Sequence, residues 1–174
     1  MTSNFAELVA DVEPLGLVSD FADEFAEVVH TQPIFADFTS LEITLMCEYL
    51  ECFGVSRDTT ILREGDRGDF LVILVTGQAL ICKNHEGRRV ELHQLKPGEM
   101  IGEMSLIDGQ QRFASCVSTE PSDLAILSKQ GFDRMIRDDA TLANKLLLML
   151  LRLSTQRLRR ATAYMVTGLM DESA

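Results

Sequence analysis

The first 60 residues contain almost no positive charge. Twelve Asp and Glu residues stand there against a single basic residue, Arg57. This third accounts for the whole net charge of -11, because residues 61–128 carry -3 and residues 129–174 carry +3. An acidic surface repels nucleic acids and anionic membranes. The charge distribution therefore argues against general binding of DNA, RNA or membrane surfaces.

Patterns typical of metal sites, disulfides, secretion and membrane insertion are also lacking. The three histidines are dispersed, and the chain does not begin with a basic segment followed by an apolar one. The most apolar stretch, residues 146–151, is far too short to span a bilayer. Four cysteines without CxxC spacing lie in apolar runs and indicate buried free thiols in a reducing compartment, namely Cys47, Cys52, Cys82 and Cys116. We therefore expect a soluble cytoplasmic protein without a metal ion.

Two helical patterns precede the central part of the chain. Apolar residues at helical spacing predict that residues 1–32 form an acidic helical arm. Thr39 is placed to cap a second helix, with Glu42 as the acid of a capping box. We expect this helix to end near Gly54. Four of its side chains are predicted to face inward, those of Leu41, Leu45, Tyr49 and Leu50.

From residue 59 onward the period of the apolar residues becomes shorter. Turn segments separate six β-prone runs, which read TTILRE, FLVILV, ALICKN, RRVELHQL, FASCVS and SDLAIL. FLVILV is apolar throughout, which predicts a strand buried on both faces, whereas His93 is expected to face solvent. Short strands at this spacing predict a β-sandwich or a jelly roll. The favoured interpretation is an antiparallel jelly-roll β-barrel that, with its leading helix, covers residues 33–128. The fold class is therefore mainly β with flanking helices (α+β).

Helical spacing returns after Ser128, which is placed to cap a short helix. A longer helix follows from about residue 140, so residues 129–174 are expected to form two C-terminal helices. The long helix carries an a/d seam sustained over three heptads, made of Leu147, Leu151, Ser154, Leu158, Ala161, Met165 and Gly168. A second apolar stripe contains Leu146, Leu150 and Leu153. We expect one stripe to pack on the barrel and the other to form a homodimer through residues 141–168. The alternative is a helix packed entirely on its own domain.

Residues 97–118, PGEMIGEMSLIDGQQRFASCVS, combine three glycines with an arginine. Gly102 precedes a short helical segment, EMSLID, and Arg112 follows ten residues after it. A glycine, the N-terminus of a helix and an arginine are the components of an anion cradle. The local composition is equally compatible with a long hairpin loop that carries a surface arginine.

In this strand context, GEMSLIDGQQRFAS resembles the phosphate-binding cassette of cyclic nucleotide-binding domains. That cassette contains Gly-Glu, a short helix, a turn, an arginine, a small residue, Ala and then Thr or Ser. Gly102, Glu103 and Arg112 match it without a gap. EGDRGDFLVILVTGQALI is similar to the early strands of the same family, which includes bacterial catabolite activators, regulatory subunits of cyclic-AMP-dependent kinase and cyclic-nucleotide-gated channels. The resemblance covers about residues 33–165.

The resemblance implies that the ligand is a cyclic nucleotide, either cyclic AMP or cyclic GMP. Arg112 would contact the cyclic phosphate, and Glu103 would accept a hydrogen bond from the ribose 2′-hydroxyl. Ser115 would add a hydroxyl to the phosphate or to a guanine edge. Tyr164 on the long helix is placed to stack on the base. The other ligand contacts implied by the cassette come from Gly102, Met104, Ser105, Phe113 and Ala114.

Two residues depart from the family pattern. Phe113 stands where Ala or Ser is usual, and its ring is expected to crowd the phosphate end of the site. Gln111 stands where a proline is common, which leaves the turn less rigid. These departures would reduce the affinity for a cyclic nucleotide or allow a different nucleotide to bind. Tyr164 has the alternative role of an exposed or interfacial aromatic residue.

The sequence predicts a regulatory protein and not an enzyme. It shows no serine, cysteine or metal constellation, no kinase signature and no pore helix, and no helix-turn-helix follows the long helix, so direct DNA binding is not expected. The favoured hypothesis is a stand-alone sensor for signal transduction, in which a bound cyclic nucleotide repositions the long helix and acts on an unknown downstream protein. One alternative is an interaction module of the same fold with a degenerate site. Another is a metal-dependent cupin enzyme, although His85 and His93 lack the clustered ligand set that such an enzyme needs.

Overall fold

Two antiparallel sheets enclose the core and confirm the predicted jelly roll. The computed structural model describes residues 5–9 and 12–171, except for the side chains of residues 7, 8 and 164–171. The five-stranded sheet has the order β1 (Val12–Leu17), β2 (Glu51–Val55), β9 (Ser122–Ser128), β4 (Phe70–Leu74) and β7 (Met100–Ile101). The four-stranded sheet has the order β3 (Thr60–Leu62), β8 (Ser115–Ser118), β5 (Ala79–His85) and β6 (Arg88–Leu95). All neighbouring strands pair in antiparallel fashion.

The described residues also form helices α1 (Phe5–Leu8), α2 (Ala22–His30), α3 (Ser40–Cys47), α4 (Glu103–Asp108), α5 (Lys129–Asp138) and α6 (Ala140–Asp171). The two predicted caps are confirmed. The Thr39 hydroxyl accepts from the backbone N–H of Glu42, whose carboxylate accepts from the backbone N–H of Thr39 at 2.8 Å. Ser128 accepts from the backbone N–H of Gly131 at 3.1 Å. Within these ranges, no helix combines the length and hydropathy needed to cross a bilayer.

Strand β4 runs through the centre of the core. All of its residues are buried, as its continuous apolar run predicts. Phe70, Val72 and Leu74 pack between the two sheets, whereas Leu71 and Ile73 pack in the cluster formed with the helices. This alternation follows from the twofold period of a strand. The four cysteines are free and buried, as predicted.

The prediction of a purely helical arm over residues 1–32 is wrong for Val12–Leu17. These residues form β1, an edge strand that pairs with β2 and has an irregular register between Pro14 and Gly16. Proline and glycine are both unfavourable inside a helix, and a sheet edge tolerates proline because the edge N–H needs no ladder partner. The division of the chain at residues 32 and 128 stays a prediction.

The second predicted helix is shorter than expected. Helix α3 ends before β2, and Gly54 lies within that strand instead of terminating the helix. Its buried face carries Ile43 and Met46, whereas Leu41 is 68% and Leu45 36% exposed, contrary to the prediction. Apolar residues occur on every side of this short segment, so their spacing does not identify the buried face.

Helix α6 buries one of its two apolar stripes. Leu146 and Leu150 are buried in the cluster formed with the other helices. The seam stays open to solvent, with Leu151 62% and Leu158 66% exposed. The last two seam residues have side chains outside the described part of the chain. The alternative in which both stripes pack on the domain itself is therefore wrong.

Glu42 connects α3 to α6. Its carboxylate accepts two hydrogen bonds of 2.7 Å from Nζ of Lys145, in addition to the bonds from the cap residue Thr39. The bond from Lys145, followed by those from Thr39, lowers the pKa of Glu42 to about 2. A carboxylate with a depressed pKa stabilises the fold above its unfolded pKa and loses this contribution as the pH falls.

We expect Glu42→Gln to lower the midpoint of thermal unfolding at neutral pH. The difference from wild type should shrink as the pH falls from 4.5 to about 2, the interval between the ordinary and the depressed pKa. Scanning calorimetry across this range measures the effect. Glu27→Gln on the exposed face of α2 is the matched control, with an expected change below about 0.5 kcal/mol. A difference that stays constant down to the lowest pH would contradict the role of Glu42.

Candidate functional site

The segment between β7 and β8 folds around the side chain of Arg112. Gly102 has a φ of 82° and precedes α4, and Gly109, with a φ of 67°, follows it. Both values lie in the left-handed region, which glycine adopts without strain. The two turns bring Gly102, Glu103 and Arg112 together, as the sequence predicts.

Arg112 is only 5% exposed, and backbone oxygens hold its guanidinium. Nη1 donates to the carbonyl oxygen of Gly102 and Nη2 to that of Phe70, each at 2.9 Å. The guanidinium carbon lies 4.4 Å from the centre of the Phe70 ring, a cation–π contact. We call the buried space that Gly102 and Phe70 form around the guanidinium the seat of Arg112. These contacts exclude the alternative of a surface arginine on a hairpin loop.

Arg112 remains positively charged in this seat. Burial lowers its pKa to about 10, because desolvation disfavours the charged form. The negative charges of Asp69, Glu103 and Asp66 oppose that shift. The two carbonyls use two of the five guanidinium N–H groups, and the others can donate to the oxygens of an anion. A buried, charged and forked donor of this kind suits a phosphate group.

The loop between β3 and β4 forms the second wall of the seat. The backbone N–H of Arg112 donates to the carbonyl of Asp66 at 2.8 Å, and its carbonyl accepts from the N–H of Gly65 at 3.0 Å. A Cβ at Gly68 would overlap the guanidinium. A Cβ at Gly102 would lie 2.6 Å from Nη1 of Arg112 and 3.1 Å from the Phe70 carbonyl oxygen. Both glycines therefore provide the space that the guanidinium occupies.

Glu103, the first residue of α4, is completely buried. Its Oε1 accepts a hydrogen bond of 2.5 Å from Nη1 of Arg157 on α6, and Nη2 of Arg157 donates to the Met100 carbonyl at 2.7 Å. Its Oε2 is buried and has no hydrogen-bond partner within the described part of the chain. A buried carboxylate oxygen without a donor is unfavourable. Oε2 is therefore a place where a ligand hydroxyl can donate.

The other predicted ligand residues differ in accessibility. Ser105 is buried, Ala114 is half-buried and Met104 is 49% exposed. The Ser115 hydroxyl accepts a 2.9 Å hydrogen bond from the backbone N–H of Glu64. Ser115 therefore already helps to fix the wall of the site, and a ligand contact would use its remaining hydrogen.

The sequence assigns two aromatic residues to the ligand. The ring of Phe113 is 61% exposed, so most of it lies outside the buried seat of Arg112. Its predicted crowding of the phosphate end stays a prediction. Tyr164 lies on α6, but its side chain is outside the described part of the chain.

Sequence reasoning missed three contributors to the site. Phe70 contributes both its ring and its carbonyl oxygen. Every residue carries such an oxygen, so that contact leaves no sequence signal. Gly68 lies in a glycine-aspartate turn that is visible in the sequence, but its contact with Arg112 is not. Arg157 is one of several arginines on α6, and it meets Glu103 across 54 positions of the chain.

Known proteins are similar to this chain in sequence and in fold. A family model described as the cyclic nucleotide-binding domain matches residues 54–139. The crystal structure of a cyclic nucleotide-binding domain from Methylobacillus flagellatus is 34% identical in sequence, with a TM-score of 0.80 and coverage of 91% of this chain and 89% of its own. The cyclic AMP receptor protein of Thermus thermophilus is 32% identical over 130 residues, or 74% of this chain and 58% of that protein. The regulatory subunit of cAMP-dependent protein kinase from Aspergillus niger is 30% identical over 60% of this chain and 25% of its own length.

The fold is a jelly roll with flanking helices, and its cassette contains a buried arginine. Together they define a regulatory, ligand-binding class of protein. Within that class, the chain belongs to the cyclic nucleotide-binding domain family. It spans little more than half of the Thermus protein and a quarter of the Aspergillus protein. This family is not a catalytic one, which removes the cupin enzyme from the alternatives. The absence of enzymatic activity in the protein as a whole and its cytoplasmic location stay predictions.

In the described part of the chain, no three His, Cys, Asp or Glu side chains are grouped to hold a metal ion.

Proposed function

We propose that this protein senses a cyclic nucleotide, cyclic AMP or cyclic GMP, at the site formed by Arg112 and Glu103. The observation that carries the proposal is Oε2 of Glu103, a buried oxygen without a partner among the described residues, close to a buried guanidinium. The ribose 2′-hydroxyl would donate to Oε2, and the cyclic phosphate would accept from Arg112. The names of the relatives, a cyclic AMP receptor protein and a cAMP-dependent kinase subunit, favour cyclic AMP.

The ion pair between Glu103 and Arg157 supports coupling of the ligand to α6. Arg157 extends from α6 to the carboxylate that would receive the ribose, and that carboxylate is fully buried. A ligand that reaches Oε2 therefore changes the surroundings of Arg157. Because a ligand shifts an equilibrium only through different contacts in the two states, this arginine supplies the difference. The position of α6 would then signal the ligand to a downstream protein.

Calorimetric titration of the wild-type protein tests the proposal. We expect cyclic AMP or cyclic GMP to bind, and 5′-AMP, which has the same base as cyclic AMP but an open phosphate, to bind far more weakly. 2′-Deoxy-cyclic AMP lacks the donor for Glu103 and should bind roughly 10-fold more weakly than cyclic AMP, the effect of losing one hydrogen bond to a charged group. No heat with cyclic AMP, cyclic GMP or cyclic di-GMP would instead favour the interaction module with a degenerate site.

Gly68→Ala should weaken cyclic nucleotide binding by roughly 10-fold or more, because the new methyl group displaces a guanidinium that makes charge-assisted hydrogen bonds. The fold should persist, since Gly68 does not have a positive φ. Gly54→Ala on β2 is the matched control, because a Cβ there meets its nearest neighbours at an ordinary 3.6 Å. Calorimetry and thermal unfolding of both variants provide the measurements. Unchanged affinity in Gly68→Ala would show that binding does not need the seat.

The exposed seam of α6 supports a homodimer formed through residues 141–168. Leu151 and Leu158 project from one helix face, and each is more than 60% exposed. Apolar side chains repeated at heptad spacing on an open face indicate a helical partner. A second copy of the same helix satisfies this pattern, because its seam presents the same residues.

Leu158→Glu should convert the dimer to a monomer, since two buried carboxylates would face each other across the seam. Sedimentation velocity measures the change. Gln156→Glu adds the same charge at an exposed position outside the seam and should remain dimeric. A monomeric wild type, or a Leu158→Glu variant that stays dimeric, would contradict dimerisation through the seam of α6.

A further inference from the structure

The cassette carries a large aromatic side chain that the core does not use. The ring of Phe113 is 61% exposed, although the residue directly follows the buried Arg112. Exposure of an aromatic ring forgoes the stabilisation that its burial would bring. Packing therefore gives no reason for a phenylalanine at this position.

Lys83 on β5 holds this ring in place. Its Nζ lies 4.1 Å from the ring centre and donates at 2.7 Å to the backbone carbonyl of Phe113. The same Nζ donates at 2.8 Å to Oε1 of Glu64, whose Oε2 accepts from the backbone N–H of Asn84 at 2.9 Å. Lys83 is itself fixed by these bonds, so both the backbone and the ring of Phe113 have a defined position. A ring that is already positioned loses little conformational freedom when a ligand contacts it.

We propose that Phe113 is the platform on which the base of the bound nucleotide stacks. This inference rests on the proposed function, in which the phosphate lies at Arg112 and the base is one ribose away from it. Lys83 contacts one face of the ring, so the base occupies the other face. A cation attracts the π-electrons of the ring that it covers, which favours an electron-rich base on the opposite face. The platform selects for a purine ring and gives Phe113 a role in specificity, in place of the expected crowding.

Phe113→Ala should weaken the binding of cyclic AMP by about 5- to 150-fold, the range typical of a lost stack between a base and an aromatic side chain. Phe113→Tyr keeps the ring and should bind cyclic AMP as wild type does. Methyl ribofuranoside 3′,5′-cyclic phosphate has no base, so it should bind wild type and Phe113→Ala equally. Ile107→Ala on α4 is the matched control, because Ile107 is a similarly exposed apolar residue of the cassette, at 53%. It should leave the affinity for both ligands unchanged.

Calorimetry with these two ligands separates the outcomes. If Phe113→Ala binds cyclic AMP as tightly as wild type or more tightly, Phe113 is not the platform for the base. The proposed function would remain intact. An equal loss of affinity for both ligands would also overturn it, because Phe113 would then shape the phosphate end of the site. A wild-type protein that binds no cyclic nucleotide would overturn the proposed function, and this inference with it.

Discussion

Arg112→Ala should greatly weaken the binding of cyclic nucleotides. The guanidinium is buried and charged. Two of its five N–H groups bond to the carbonyls of Gly102 and Phe70, and the others are the donors proposed for a phosphate. Truncation of one partner in a buried, hydrogen-bonded charge contact costs about 2 to 5 kcal/mol. That cost corresponds to a loss of affinity of roughly 30-fold to several thousand-fold. Titration calorimetry with cyclic AMP measures it directly.

A loss of stability must be separated from the loss of the phosphate contact. The carbonyls of Gly102 and Phe70 lose their donors in Arg112→Ala, so the thermal midpoint should also fall. Arg112→Lys keeps the charge but not the forked geometry, and it should recover stability more than affinity. Arg63→Ala, whose side chain is 70% exposed on the neighbouring loop, is the control and should bind normally. Wild-type affinity in Arg112→Ala would show that cyclic nucleotides do not bind through the Arg112 guanidinium.

Arg157→Met should destabilise the protein without ligand by about 2 to 3 kcal/mol, because it leaves the Glu103 carboxylate buried without its cation. Removal of one partner from a fully buried pair usually costs more, but the Arg157 side chain is 40% exposed. Urea unfolding followed by far-ultraviolet circular dichroism suits a chain that has no tryptophan. The double variant Glu103→Gln/Arg157→Met should regain most of the loss, since a neutral amide is less costly to bury than a carboxylate.

Arg159→Met is the matched control for this experiment. Arg159 lies on the same helix and is exposed, so its replacement should change the free energy of unfolding by less than about 0.5 kcal/mol. Equal effects of the two single variants would show that the contact with Glu103 does not stabilise α6 on the cassette. A double variant no more stable than Arg157→Met would lead to the same conclusion.

The parts of the fold that the sequence predicts are those with local signals. The apolar run of β4 and the caps Thr39 and Ser128 depend on residues a few positions apart. Strand β7 has only two residues, which is too short for a pattern. Strand β2 contains a glycine and is defined by its pairing with β9, far along the chain. Pairing of this kind is set by tertiary structure, which local propensity does not capture.

The candidate site also has a part that the sequence predicts and a part that it does not. Gly102, Glu103 and Arg112 belong to one contiguous motif, and the structure brings them together. The partners of that motif come from elsewhere, since Arg157 reaches Glu103 from α6 and Lys83 reaches Phe113 from β5. These contacts depend on strand register and on the position of a helix. Neither can be read from the residues on either side of the motif.

The two oxygens that hold Arg112 belong to the main chain. Every amino acid carries such an oxygen, so a substitution of Phe70 by another apolar residue would remove the ring contact and keep the hydrogen bond. Gly68 and Gly102 have no such freedom, because any side chain there would enter the space of the guanidinium. The geometry therefore admits other apolar residues in the strand that supplies the oxygen, but it requires glycine at the two positions beside the guanidinium.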